Sequence, residues 1–167
     1  MTDRLPDRDL TLPELRAVVR GLASAPERWR RHVRHDPTRR HYEELVRDAH
    51  LSVWLINWTD AQDTGFHDHD ISAGVVAVVQ GRVVEERLRV GAQPGRAEFG
   101  PGQAFDFAAE QIHRVVHVGT EPAVTLHAYS PPLWRMGAYL VEPDGALRRF
   151  SVSYAEELRP LDEPLAA

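Results

Sequence analysis

From about residue 50 the hydrophobic period of the chain changes from 3.6 to two, and this switch limits the fold more than any other feature. Before it, Leu12, Leu15, Val18, Val19 and Leu22 recur at helical spacing. After it, Leu51–Trp58 is dense in strand formers, and Arg82–Val90 alternates Val83, Glu85, Arg87 and Arg89 against Val84, Glu86, Leu88 and Val90. Further strands are predicted at Ser72–Gln80, Ala104–Phe107, His113–Val118, Ala123–Tyr129, Tyr139–Glu142 and Ala146–Tyr154. Gly81 and Pro143-Asp144-Gly145 read as turns, and Gly91–Gly102 as a loop. Many short strands with evenly spaced turns predict a sandwich or small barrel. A chain of 167 residues suits one domain.

The segment before residue 50 is expected to be helical. Thr11-Leu12-Pro13-Glu14 has the pattern of a capped start, with Thr11 as N-cap and Glu14 reaching back. Pro26 opens a second short helix holding Trp29 and Val33, which Asp36-Pro37 breaks. Pro37–Val46 is expected as a third, with His41, Tyr42, Leu45 and Val46 inward. The division is residues 1–49 helical, 50–154 barrel, and 155–167 a Pro- and Glu-rich tail that frays from Glu157.

Six arginines (Arg28, Arg30, Arg31, Arg34, Arg39 and Arg40) crowd the stretch after the first helix. A net charge of -5 argues against a nucleic-acid face, so they read as a solvated surface. Met1 to Leu10 is charged and lacks the apolar core of a signal peptide, and no apolar run nears the ~20 residues of a membrane span. A cytoplasmic protein that binds neither nucleic acid nor membrane is expected. The helices can cover one sheet face, so a monomer or weak homodimer is expected too. The chain has no cysteine, which removes disulfides and thiolate ligands. Any metal must be held by His, Asp or Glu.

Such a group exists. In Thr64-Gly65-Phe66-His67-Asp68-His69, two histidines one residue apart share a face on an extended chain, so both can reach one ion. His113 and His127 lie on later strands. His127 and Tyr129 alone could equally be a satisfied pair inside a barrel.

Gly65-Phe66-His67-Asp68-His69 through Gly81, and Pro101-Gly102 through His113, resemble the two cupin motifs. Glu121-Pro122-Ala123-Val124-Thr125-Leu126-His127-Ala128-Tyr129-Ser130-Pro131-Pro132 more specifically resembles the thiol dioxygenases, the cysteine dioxygenase family. The likeness runs from about Tyr42 to Tyr154. It implies a mainly β cupin, a small barrel or jelly roll with two or three N-terminal helices packed outside. It implies His67, His69 and His113 as metal ligands, with Gly74 where a generic cupin carries a glutamate ligand. Many animal relatives have a cysteine there, crosslinked to the tyrosine matching Tyr129; here that link cannot form. It further implies a Thr125–His127–Tyr129 relay beside the metal, with threonine in place of the usual serine, and i, i+2, i+4 on a strand do share a face. His117, where cupins often carry asparagine, is expected behind the ligands.

One departure affects the substrate. The family often has Tyr-x-Arg before the first strand, the arginine pairing with the substrate carboxylate. Here the stretch is Tyr42-Glu43-Glu44, and a carboxylate does not hold a carboxylate unless one is protonated. Arg47, Arg114 or Arg135 could supply the charge, Glu44 could bind an amine, or Glu44 could touch nothing. The expected substrate-binding set is Tyr42, Glu44, Arg47 and Arg135. The expected activity is a metal-dependent thiol dioxygenase that adds O2 to the sulfur of cysteine or a related small thiol, giving a sulfinate. Iron(II) is the default metal, and nickel(II) or cobalt(II) would also suit three imidazoles. Other cysteine-derived sulfur oxidation in biosynthesis, or a non-catalytic small-molecule-binding cupin, are the alternatives.

Overall fold

A computed structural model describes residues 5–60, 62–89 and 91–161. Val90 and the last six residues of the expected tail lie outside the described residues. Among the described residues the chain is mainly β: helix α1 (Leu12–Ala23), two single 3-10 turns (Pro26–Arg28, Arg30–His32) and eleven strands. These are β1 (His41–Arg47), β2 (Ser52–Trp58), β3 (His67–Asp68), β4 (Ala73–Gln80), β5 (Arg82–Arg87), β6 (Gly95–Phe99), β7 (Ala104–Phe107), β8 (His113–Val118), β9 (Ala123–Ser130), β10 (Arg135–Val141) and β11 (Leu147–Ser153). They form a five-stranded sheet, β1-β2-β9-β4-β7, facing a six-stranded one, β11-β10-β3-β8-β5-β6.

The five-stranded sheet is buried on both sides. Its outer residues, among them Leu55, Val75, Ala77, Leu126 and Ala128, cluster with Leu15, Val19 and Leu22 of α1. Its inner residues, among them Trp54, Trp58, Val76 and Tyr129, face the barrel interior. That is why all eight residues of β9 are buried, with Val124, Leu126 and Ala128 on one face and Thr125, His127 and Tyr129 on the other. The start of α1 is as expected: the Thr11 amide donates to Glu14 Oε2 at 2.8 Å, and Arg8 holds Glu14 from outside.

Three expectations are corrected. Among the described residues only one α-helix, α1, covers the sheet. The segment around Trp29 makes two 3-10 turns, fixed by the Trp29 indole donating to Leu22 O at 3.0 Å. The expected third helix, Pro37–Val46, is instead the edge strand β1, paired with β2 from His41↔Asn57 to Arg47↔Ser52 with a bulge between Glu44 and Val46. The free edge of β2 wins over local helical spacing, because it satisfies a row of backbone groups at once. The expected loop Gly91–Gly102 contains β6, an edge strand on β5.

The tail does not fray at Glu157. Arg40 donates to Leu158 O and its amide to Glu157 Oε1 at 2.8 Å, while Tyr42 Oη donates to Ala155 O. Leu158 joins the interior cluster. The strap lies against Gly65, whose φ is +68° and where a Cβ would stand 2.7 Å from Arg159 O. Glycine is needed there for both reasons.

Leu126 is fully buried between α1 and the sheet. Leu126→Ala is expected to cost about 2–5 kcal/mol in urea unfolding.

Candidate metal centre

Register builds the site. Strand β3 pairs with β8 at His67↔His113, and with β10 at Ala138↔His67 and Gly137↔Asp68. His69 follows two residues on, where Asp70 takes a positive φ of 58°. The ring centroids of His67 and His69 are 4.8 Å apart, those of His67 and His113 4.8 Å, and those of His69 and His113 5.2 Å. One nitrogen from each ring lies within 4.8 Å of the others. All three residues are buried.

Each ring is held from behind. His67 Nδ1 bonds Gly65 O at 3.0 Å, and His113 Nδ1 bonds Glu85 Oε1 at 2.8 Å. His69 stacks on Phe107 with centroids 4.4 Å apart and planes 18° apart. A Cβ at Gly74 would come 2.4 Å from that same Phe107 ring, so no fourth side chain fits at this position. Burial holds His67 and His69 well below the ordinary imidazole range, each lowered further by a neighbouring histidine. Burial lowers His113 too, opposed by its bond to Glu85.

The donor set fits a divalent cation. His113 Nε2 and His69 Nδ1 are buried with no hydrogen-bond partner, and orphaned polar atoms inside a protein require a reason. Neutral imidazoles with orienting partners behind them suit iron, cobalt, nickel, copper or zinc.

Beside the triad, Thr125 Oγ1 lies 2.8 Å from His127 Nε2 and His127 Nδ1 lies 3.1 Å from Tyr129 Oη. Burial pushes His127 down to about 3 and pushes the Tyr129 phenol up. Trp58, which the motif reading did not single out, donates its indole N–H to Thr125 Oγ1 at 2.8 Å. It comes from β2, the strand beside β9, and only the pairing of those strands could have revealed it.

A cavity opens onto this cluster. It is lined by His67, His69, His113, His127, Tyr129 and Tyr42, with Trp54, Tyr154, Leu133 and Met136 as apolar wall. It measures about 60 Å³, enough for roughly four waters at the ~15 Å³ each requires. Strap residues Glu156, Glu157 and Leu158 complete it, as does Arg40.

Glu44, Arg47 and Arg135, expected beside the substrate, lie outside this lining. Arg47 Nε binds Glu44 Oε1 at 2.6 Å, and its Nη2 donates to Leu133 O. Arg135 pairs with Asp70 at 2.9 Å on the surface, and Arg114 with Glu86 at 2.7 Å. His117 bonds Glu121 O. Two positioning carboxylates were missed. Glu85 lies behind His113. Asp68, between the first two histidines, accepts from Arg149 at 2.7 and 2.9 Å and from Tyr139 at 2.6 Å, tying β3 to β10 and β11. A charged residue in an alternating strand gave no sign of either role.

Fold and site together define a small β-barrel protein with a candidate three-histidine metal centre. A family model described as cysteine dioxygenase type I matches residues 6–141, and the chain belongs to that family. Cysteine dioxygenase type 1 of Danio rerio is 27% identical over 135 residues, 74% of this chain and 67% of that protein. Among solved structures, the TT1209 protein from Thermus thermophilus aligns with a TM-score of 0.55 at 22% identity, covering 62% of this chain and 93% of that one. An uncharacterised Klebsiella pneumoniae protein with a double-stranded β-helix domain aligns at 0.54 and 16% identity, over 61% and 80%. These two likenesses show the fold, a cupin-type double-stranded β-helix. Among the described residues no helix is long and apolar enough to cross a membrane.

The histidines set a pH dependence. A histidine buried neutral has its folded pKa below its unfolded value near 6.5, so the unfolded chain takes up protons first as pH falls. Stability of the metal-free protein is therefore expected to be full above ~pH 6.5 and to fall below it, by about 1.4 kcal/mol per pH unit for each such histidine. Urea midpoints between pH 7 and 5 measure this; a flat profile would contradict neutral burial.

Proposed function

We propose that the protein is a metal-dependent thiol dioxygenase: a small thiol and O2 combine to give the sulfinate, both oxygen atoms ending on sulfur. The observation that carries the reading is the convergence of three buried imidazoles beside the hydrogen-bonded chain Thr125–His127–Tyr129. Family membership supports thiol dioxygenase chemistry in general.

His67, His69 and His113 would hold iron(II), nickel(II) and cobalt(II) being compatible with the same ligands. Bound there, the metal would supply thiolate binding and dioxygen activation. Glu85 would keep the proton of His113 on Nδ1 and so leave Nε2 available to an ion. The Phe107 stack keeps the His69 ring in place.

Trp58 sets the direction of the relay. Because its N–H donates to Thr125, the threonine O–H is free to donate to His127 Nε2. His127 then carries its proton on Nδ1 and donates it to Tyr129 Oη. The Tyr129 hydroxyl is left to donate into the cavity, toward substrate or an oxygen atom in transfer. With its acidity suppressed by burial, the phenol remains a donor and does not ionise. Trp54, Tyr154, Leu133 and Leu158 keep water away, which strengthens that hydrogen bond.

The reading is tested by oxygen uptake of the iron(II)-loaded protein with cysteine, cysteamine and 3-mercaptopropionate. One O2 per thiol and a sulfinate product are expected. No uptake with any thiol at full metal occupancy would end it.

Tyr129→Phe is expected to lower kcat about a hundredfold with metal content unchanged. Trp58→Phe should cost less, about tenfold, by releasing the Thr125 hydroxyl. Parent-like kcat in Tyr129→Phe would remove the relay from the mechanism.

A further inference from the structure

One guanidinium reaches the candidate metal centre from the surface, through a carboxylate. Glu85 lies behind His113, its Oε1 at 2.8 Å from Nδ1. Its other oxygen, Oε2, is 3.0 Å from Arg87 Nε. The carboxylate is thus shared between a histidine of the cluster and a cation. The Glu85 side chain is 2% exposed and that of Arg87 39%, so the chain of contacts runs from the buried site to solvent.

Strand register makes this arrangement. Arg87 stands directly opposite His113 on β8, and Glu85 opposite Val115. Residues 85 and 87 share a face, as i and i+2 do on a strand. Glu86 between them points the other way and pairs with Arg114 at 2.7 Å. Strand β5 therefore carries an ion pair on each face, and the inner one touches the cluster.

Arg87 also fixes a second support. Its Nη2 donates to Asp106 O, in the main chain next to Phe107, whose ring stacks on His69. Arg16 of α1 holds the Asp106 side chain. One guanidinium thus ties the backing of His113 to the backing of His69.

The sign of its effect follows from its charge. A carboxylate behind a metal-binding imidazole raises the basicity of the ring. A cation on the far oxygen draws charge from that carboxylate and weakens the effect. The two influences already oppose each other on the ring. Beyond the lowering caused by burial, the bond to Glu85 raises the proton affinity of His113 and the charge of Arg87 lowers it.

We propose that Arg87 tunes the metal centre: by sharing the charge of Glu85 it holds His113 below full donor strength, which loosens the ion and favours the lower oxidation state of iron. Arg87 touches neither ion nor substrate; it is a positioning residue that acts through Glu85. This rests on the three-histidine metal reading and not on which thiol is used. The competing role is mechanical, a brace for Glu85 and β7. A brace and a tuner predict opposite signs when the arginine is removed.

The test is the cobalt(II) affinity of the full chain, measured by competition with a chelator. Arg87→Met keeps a long side chain without charge or donors, and is expected to lower the Kd about threefold or more. Arg87→Lys, which keeps the charge, should stay within about twofold of the parent. Glu85→Gln should raise the Kd about tenfold or more. Adding Arg87→Met to Glu85→Gln should then change it by less than about twofold, because the effect passes through the carboxylate. An unchanged or raised Kd in Arg87→Met overturns the proposal and leaves Arg87 a brace. An equal gain in Arg87→Lys, or the full gain with Glu85→Gln present, overturns it too. The visible spectrum of bound cobalt(II) should match the parent in Arg87→Met; an altered spectrum means a changed ligand set and counts against tuning. With iron bound, the reduction potential should fall in Arg87→Met, and an unchanged or higher potential rejects the claim on oxidation state. If the parent protein binds no cobalt(II), the metal reading fails and the proposal with it. If it binds the ion but consumes no thiol, the dioxygenase reading fails while the affinities still decide Arg87.

Discussion

One register contact, His67 opposite His113 across β3 and β8, determines where everything else in the site can be. Strand β3 is two residues long, too short to hold itself by ladder bonds. Asp68 supplies what the ladder lacks. It accepts from Arg149, Tyr139 and the amides of Asp70 and Gly137. Burial alone would raise this carboxyl, but those partners hold it at about 2. Two imidazoles therefore project inward from a short segment whose outward side chain is locked to the sheet. A one-residue slip would exchange Asp68 for the histidines and abolish the cluster.

Strand β9 does the same for the relay. Its outward residues Val124, Leu126 and Ala128 bind it to α1, so Thr125, His127 and Tyr129 have only the interior to face. The polar face of a fully buried strand must find its partners among itself and its neighbours. Trp58 on β2 is that neighbour. The packing of one helix on one sheet face thus reaches the orientation of a phenolic hydroxyl on the other.

Much of this was legible in the sequence where a motif carried both period and chemistry. His67 and His69 come together because the i, i+2 rule holds for even a short extended segment, and the pairing of β3 with β8 adds His113. Thr125, His127 and Tyr129 follow from the same rule. Features decided by distant pairing were not legible. Pro37–Val46 has helix-compatible spacing, and only the edge of β2 makes it a strand. Glu85 and Asp68 look like ordinary outward charges until the opposite strand places a histidine or an arginine against them. Arg40 looked like one of a solvated run, and the strap like a loose end, because each is ordered by the other.

The strap has a consequence for the order of events during synthesis. The cavity wall includes Tyr154, Glu156, Glu157 and Leu158, so the pocket is complete only after the segments bearing the three histidines have all been made. The histidine cluster is therefore shut off from the surroundings last of all, by the end of the described chain.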